Sequence, residues 1–248
     1  MSSISLKNVS LEFPIFHGES FSLRSTIMSK LGGQLVQKAG VLKTIKALKN
    51  VSIHVNKGDR IGLIGHNGSG KSTLLRTLAG IYKPSAGQLT VSGKISTLFG
   101  LSASFNQEMT GNENLFLGAL IHGKSYAEAK KSLPAMQEFT ELGSYLDLPL
   151  RTYSEGMKTR IGFAIATNFS PDILLIDEVF GAGDKDFFEK SKKKIESLIH
   201  ESNYLFMATH SDELIKKFCN KALYMVHGEV RAFGDVKEVL ALYHKNNE

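Results

Sequence analysis

Gly65, His66, Asn67, Gly68, Ser69, Gly70, Lys71, Ser72 and Thr73 run consecutively as G-x-x-x-x-G-K-[ST], between an apolar stretch at 61–64 and a helix-like stretch at 74–78. Strand, loop and helix in that order form the context in which such a loop wraps phosphates, so the chain is expected to bind a nucleoside triphosphate through all nine residues. Gly65, Gly68 and Gly70 admit backbone conformations closed to other residues and let successive N–H groups converge on phosphate oxygens. The following helix adds its unpaired N-terminal donors. Lys71 brings a compact charge to the β- and γ-phosphates, and Ser72 brings a hydroxyl to Mg²⁺, which prefers hard oxygen donors. Thr73 is expected at the α-phosphate.

A second group of chemical residues closes the apolar run 173–176, which ends in Asp177 and Glu178. Acids at the carboxyl end of a buried strand stand where ligands bind in parallel sheets. Asp177 suits a ligand to Mg²⁺, directly or through water. Glu178 suits a general base for the water that attacks the γ-phosphate. A third group is Ser154 and Gly156, ahead of a helix-like stretch at 158–168. Ser154 is a good N-cap, and Ser-x-Gly can present open N–H groups with a helix dipole behind them, making a second anion site.

The elements that must position these residues are a doubly wound α/β sheet. Apolar runs at 61–64, 173–176, 204–208 and 222–226 alternate with helical stretches. Residues 4–13 and 47–55 alternate as strands of a would-be hairpin. Residues 88–91 and 94–99 read as a strand pair, and 112–146 as a helical block. In that block Ser125 and Glu128 form a capping-box pattern, and Pro134 starts a second helix or kinks the first. A final helix at 236–243 follows the cap residue Asp235.

Composition narrows the class. The 248 residues are 42% hydrophobic and 22% charged, ordinary for a globular chain, and Cys219 alone excludes an internal disulfide framework. No apolar run approaches the roughly 20 residues needed to cross a bilayer, and the N-terminus lacks the layout of a signal peptide. Cys219 is expected to be a small buried apolar residue. Charge is uneven: residues 1–60 hold nine Lys or Arg against Glu12, Glu19 and Asp59, a net of +6 that equals the excess of the whole chain. Residues 20–58 carry seven of those cations and no acid. Within that span Leu23, Ile27, Leu31 and Leu35 recur every four residues, interrupted at Gly32 and Gly33. The pattern is an amphipathic helix, either packed on its own domain or, as a basic amphipathic helix, lying at a membrane surface or against a membrane-embedded partner.

Residues 153–157 (Tyr153, Ser154, Glu155, Gly156, Met157) resemble the Leu-Ser-Gly-Gly-Gln signature of ABC transporter ATPases, with Glu155 standing for one of its glycines. The order of elements resembles that family over essentially the whole chain: phosphate loop, helical insert, signature, Asp177 with Glu178, a D-loop-like turn at 181–184, and His210 after an apolar strand. The resemblance implies a P-loop NTPase (RecA-like) core with an antiparallel β-subdomain and an inserted helical subdomain. The core would span about 1–98 and 160–248, the helical signature subdomain about 99–159, and the N-terminal amphipathic insertion about 14–46. It makes His210 the switch histidine at the γ-phosphate. It implies a homodimer in which Ser154 and Gly156 of one subunit close over ATP held by the other. The family's adenine-stacking aromatic falls on Phe13, with Phe16 as competitor. Its Q-loop glutamine falls near Gly100, where none is present, and Gln107 is out of register.

The pattern from Phe105 through Thr110, Gly111 and Asn114, with Met157 and the basic insertion, resembles one branch: ATP-binding subunits of bacterial polysaccharide exporters for O-antigen, capsule or teichoic acid. That resemblance implies ATP hydrolysis coupled to export of a lipid-linked polysaccharide, with two copies of a transmembrane permease, at the cytoplasmic face of the inner membrane. The insertion would meet the membrane surface or the lipid-linked glycan, at roughly 1 kcal/mol per cation near an anionic surface. Some relatives carry a C-terminal β-sandwich for the finished glycan; with Glu248 as the last residue, such recognition is expected elsewhere. Other readings are an ATPase of another ABC transporter or a soluble regulator or nucleic-acid factor of the same family. One cassette without heptads argues against the latter, and no nucleic-acid partner is expected.

Overall fold

A computed structural model describes residues 2–15, 43–101, 104–177 and 185–246. The amphipathic pattern at 23–35, Phe16, Glu178 and the turn at 181–184 fall outside the described residues.

The chain opens with β1 (Ser3–Ile15) and β2 (Lys43–Val55), which pair antiparallel as the alternation predicts. The alternation is rephased part-way. Asn8 and Asn50 both take left-handed backbone (φ 50° and 49°), and register shifts follow each side of Val9, so Ile4, Leu6, Val9 and Leu11 all face inward. A residue added to one strand re-aims every side chain after it. Cross-strand hydrogen bonds fix the irregularity: the Asn8 N–H donates to Ser52 Oγ at 2.8 Å, and the Asn50 N–H to Ser10 Oγ at 2.9 Å.

β3 (Arg60–Ile64) leads into α1 (Lys71–Leu78), and then β4 (Ala86–Ser92) and β5 (Ile95–Thr97) follow. The expected strand pair at 88–91 and 94–99 does not form. β4 joins β1 in a three-stranded sheet ordered β2-β1-β4, whereas β5 pairs parallel with β6 (Ile173–Asp177) in a six-stranded sheet. Gly93, at φ 131°, turns the chain between the two sheets, and the Lys94 carbonyl accepts the Asp172 and Ile173 N–H groups. Adjacent strands in sequence thus belong to different layers.

The helical block between β5 and β6 holds α2 (Gly111–Ile121), α3 (Tyr126–Thr140) and α4 (Glu155–Ala166). The Ser125 and Glu128 capping box is present, and so is one at Thr110 and Glu113 that the sequence reading missed. α3 continues through Pro134 rather than starting there. α2, α3 and α4 bury Leu115, Met136, Leu146, Tyr153 and Ile161 in a small core of their own.

After α5 (Lys185–Glu201) come β7 (Tyr204–Ala208), α6 (Asp212–Phe218), β8 (Lys221–Val226), β9 (Glu229–Asp235) and α7 (Val236–Lys245). The larger sheet runs β5-β6-β7-β3-β8-β9, parallel except for β9. Its central strands are apolar on both faces because both are covered. Ile173 and Leu175 pack toward α1 and the antiparallel sheet, and Leu174 and Ile176 toward α4 and α5. Each such leucine contributes about 1.5–3 kcal/mol on burial. Asp235 caps α7 through the Lys237 N–H at 2.8 Å. The β8–β9 hairpin was not read from sequence. Its turn is His227 and Gly228, at φ 48° and 82°, positions where Asn-Gly is the usual signal. Burial pushes the Cys219 thiol up to about 12, which makes it an inert packing residue.

Candidate nucleotide site

The phosphate loop is wedged between two other segments of backbone, which dictates its glycines. A Cβ at Gly65 (φ 144°) would stand 2.3 Å from the Met225 carbonyl oxygen, and one at Gly70 (φ 106°) 3.1 Å from that of Ala47. No side chain can be added at the first without displacing β8.

At the loop's centre the Lys71 ammonium donates to the carbonyls of Gly65 (2.7 Å) and His66 (3.1 Å), and the residue is only 7% exposed. The loop therefore gathers a buried cation. α1 begins at Gly70 with no side-chain cap and no acid in its first turn. Helix N-termini ordinarily attract both, since several N–H groups there lack partners. Left open, these donors suit an external anion. Ser69 is fully buried, and its Oγ has no hydrogen-bond partner among the described residues.

A cleft of about 430 Å³ opens over this loop, lined by Asn67, Gly68, Ser69, Gly70, Lys71, Ser72, Thr73 and Asp177. Asp177 arrives there because β6, the strand it ends, lies one place from β7 and two from β3. Glu178, next in the chain, is outside the described residues. His210 follows β7, and its Nε2 lies 3.1 Å from Asn67 Oδ1, which joins it to the loop. Ser72 and Asp177 are hard oxygen donors on one cleft. No cluster of three or more His, Cys, Asp or Glu forms among the described residues, so a divalent ion would complete its shell with phosphate oxygens and water.

Ser154 and Gly156 lie elsewhere. Ser154 caps α4, accepting the Met157 N–H at 3.3 Å. A Cβ at Gly156 would meet nothing closer than Ser154 Oγ at 3.8 Å, so this backbone is open. Both residues border a separate depression of about 580 Å³ with Glu141, Gly143, Tyr145 and Arg160. Tyr153 anchors that segment: it is buried, and its hydroxyl donates to the Tyr145 carbonyl. Phe13 is half-buried, edge-on to Tyr82 with ring centroids 5.1 Å apart. It does not line the cleft, but its cross-strand partner Ile45 does.

The far wall of the cleft, Ile45, Lys46, Ala47, Lys49, His227 and Gly228, was missed. The Gly228 N–H donates to the Ser69 carbonyl (2.9 Å) and its carbonyl accepts from Lys49 N–H (2.8 Å), so the β8–β9 turn buttresses the loop. The His66 and His227 rings meet with centroids 4.9 Å apart.

The sequence model of the ABC transporter family matches residues 48–181, more than half of the chain. The chain belongs to the ABC transporter family. It is 46% identical over 229 residues to the O-antigen export system ATP-binding protein RfbE of Yersinia enterocolitica, covering 92% of this chain and 96% of that one. It is 37% identical to the O-antigen export system ATP-binding protein RfbB of Myxococcus xanthus, covering 99% of this chain and 56% of the relative. It is 36% identical to the teichoic acids export ATP-binding protein TagH of Shouchella clausii, covering 96% and 64%. The chain thus spans nearly all of the first relative and less than two thirds of the other two. ABC structures share the fold: the ATP-binding subunit of an ABC transporter superposes with a TM-score of 0.70 at 22% identity, covering 98% of this chain and 93% of that one. A dimeric bacterial ABC transporter cassette does so with a TM-score of 0.67 at 23% identity, covering 94% and 98%.

Proposed function

We propose that this chain is the ATP-hydrolysing subunit of an ABC exporter that moves a lipid-linked polysaccharide of O-antigen type across the bacterial inner membrane. The observation that carries the export reading is the 46% identity to the Yersinia O-antigen export protein through 96% of its length. The cleft supplies the chemistry. Open amides of α1 and the Lys71 ammonium hold the β- and γ-phosphates, and Ser72 and Asp177 hold Mg²⁺, which when bound neutralises charge on the phosphate oxygens. Glu178 takes a proton from the attacking water, and His210, held against Asn67, contacts the γ-phosphate.

Among the described residues, Ser154 and Gly156 do not line the cleft but border a different depression. A second copy accounts for this: its Ser154 and Gly156 complete the site over the first copy's phosphates. The separation of the two anion surfaces in one chain supports this shared site. ATP turnover by the purified chain is then expected to rise more steeply than linearly with protein concentration. A linear dependence that persists down to concentrations at which the protein sediments as a monomer removes the shared site.

No helix among the described residues is long and apolar enough to cross a membrane. In the proposed reading a separate permease, two copies per ATPase dimer, moves the glycan, and this chain acts at the cytoplasmic face of the inner membrane. The charge excess at 20–58 supports a partner that is anionic lipid or the phosphates of the lipid-linked glycan.

A further inference from the structure

Three helices, one of them starting at the Ser154 cap, meet at one carboxylate. Glu141 ends α3 in left-handed backbone, φ 57° and ψ 27°. That conformation favours glycine or asparagine at a helix end, and a glutamate adopts it at a cost. Its Oε1 accepts from Lys190 Nζ of α5 at 2.7 Å, and its Oε2 from Arg160 Nη1 of α4 at 3.2 Å. Arg160 also donates to the Thr140 carbonyl at 2.9 Å. Beneath the charges lies an aromatic cluster drawn from the same helices. The Arg160 guanidinium sits over the buried Phe187 ring (4.5 Å) and the Lys190 ammonium over Phe139 (5.0 Å). Phe139 and Phe187 meet edge to face at 5.7 Å, and Phe163 packs against both.

The helices differ in what they hold. α4 starts at the Ser154 cap, and α5 starts eight residues after Asp177. Glu141 and Arg160 border the same depression as Ser154 and Gly156. Backbone strain of this kind persists where surrounding structure over-determines it, and it concentrates at sites whose geometry matters. The hydrogen bond from Lys190, ahead of the opposing effect of burial and helped by the charges of Lys190 and Arg160, holds the Glu141 carboxyl below the usual carboxylate range.

We infer that Glu141 is a positioning residue that clasps α4 to α5, so that the Ser154 and Gly156 surface offered to one ATP stays in fixed register with the Asp177 edge that serves the other. This rests on the shared-site reading above. Glu141, Arg160 and Lys190 are not among the residues that line the phosphate cleft, so losing the clasp is expected to slow turnover more than it weakens the hold on ATP.

The test uses the full chain with Glu141→Gln and Glu141→Gly. Both are expected to lower kcat about tenfold, as loss of a coupling contact does, with the KM for ATP within about twofold of wild type. Glycine also relieves the left-handed strain, so Glu141→Gly is expected to melt no lower than wild type. Wild-type kcat in Glu141→Gly overturns the clasp, as does a parallel loss of kcat and thermal stability in both variants, which marks a merely structural role. The shared site fails separately, through turnover of the wild-type protein that stays linear in concentration where the protein sediments as a monomer.

Discussion

Lys71→Ala is expected to lower ATP turnover about 10²–10³-fold, the scale on which removal of one preorganised charge-stabilising donor acts. The reasons are local. Lys71 is the buried cation of the loop, fixed by the Gly65 and His66 carbonyls at its base, and its ammonium borders the cleft. Alanine removes charge from where phosphate charge must be received and leaves two carbonyls without their donor. Binding of a fluorescent ATP analogue is expected to weaken along with turnover, because the lysine meets ground-state phosphates too. Lys71→Met, which keeps the stem, separates charge from packing and is expected to behave like the alanine variant. Near-normal turnover by either protein contradicts the site.

Glu178→Gln is expected to act differently. Glutamine preserves the size and polarity of the glutamate but cannot accept the proton of the attacking water, so turnover should fall about 10²–10⁴-fold while ATP binding persists. With two sites filled and hydrolysis stalled, the two-subunit form should accumulate when ATP is added, and size-exclusion chromatography reads it. Loss of binding together with turnover would instead assign Glu178 to holding the nucleotide. Normal turnover would move the base elsewhere.

The two variants bear on residues the sequence displays openly, and the reason is chemical. A loop that must bring backbone amides onto phosphate needs glycines at set places, one lysine and one hydroxyl, all within nine residues, so the requirement is written contiguously. Asp177 is legible for a similar reason: a four-residue apolar run that stops at an acid is a buried strand ending at the sheet's ligand edge. What stayed hidden depends on distant partners. His227 and Gly228 read as a bare turn, and only the crossing of β8 beside β3 brings that turn under Ser69. The strands β4 and β5, two residues apart, separate into different sheets because one finds β1 and the other β6, a choice local alternation does not encode. Asn8 and Asn50 shift the inward face of β1 through hydrogen bonds across 44 and 40 residues. The Glu141 clasp draws on three helices, and nothing in the residues beside Glu141 names Arg160 or Lys190 as partners. Ser154 and Gly156 are visible as an anion surface, yet in the folded chain they border a depression separate from the cleft over the loop, a separation no local pattern encodes.

Export is tested most directly by surface glycan in cells whose own gene for this chain is deleted. Wild-type chain supplied in trans is expected to restore the lipid-linked polysaccharide at the cell surface, and Glu178→Gln, expressed to the same level, is expected to leave it inside. Unchanged surface polysaccharide in the deleted cells, or full restoration by Glu178→Gln, contradicts the assignment of this chain as the ATPase that drives glycan export.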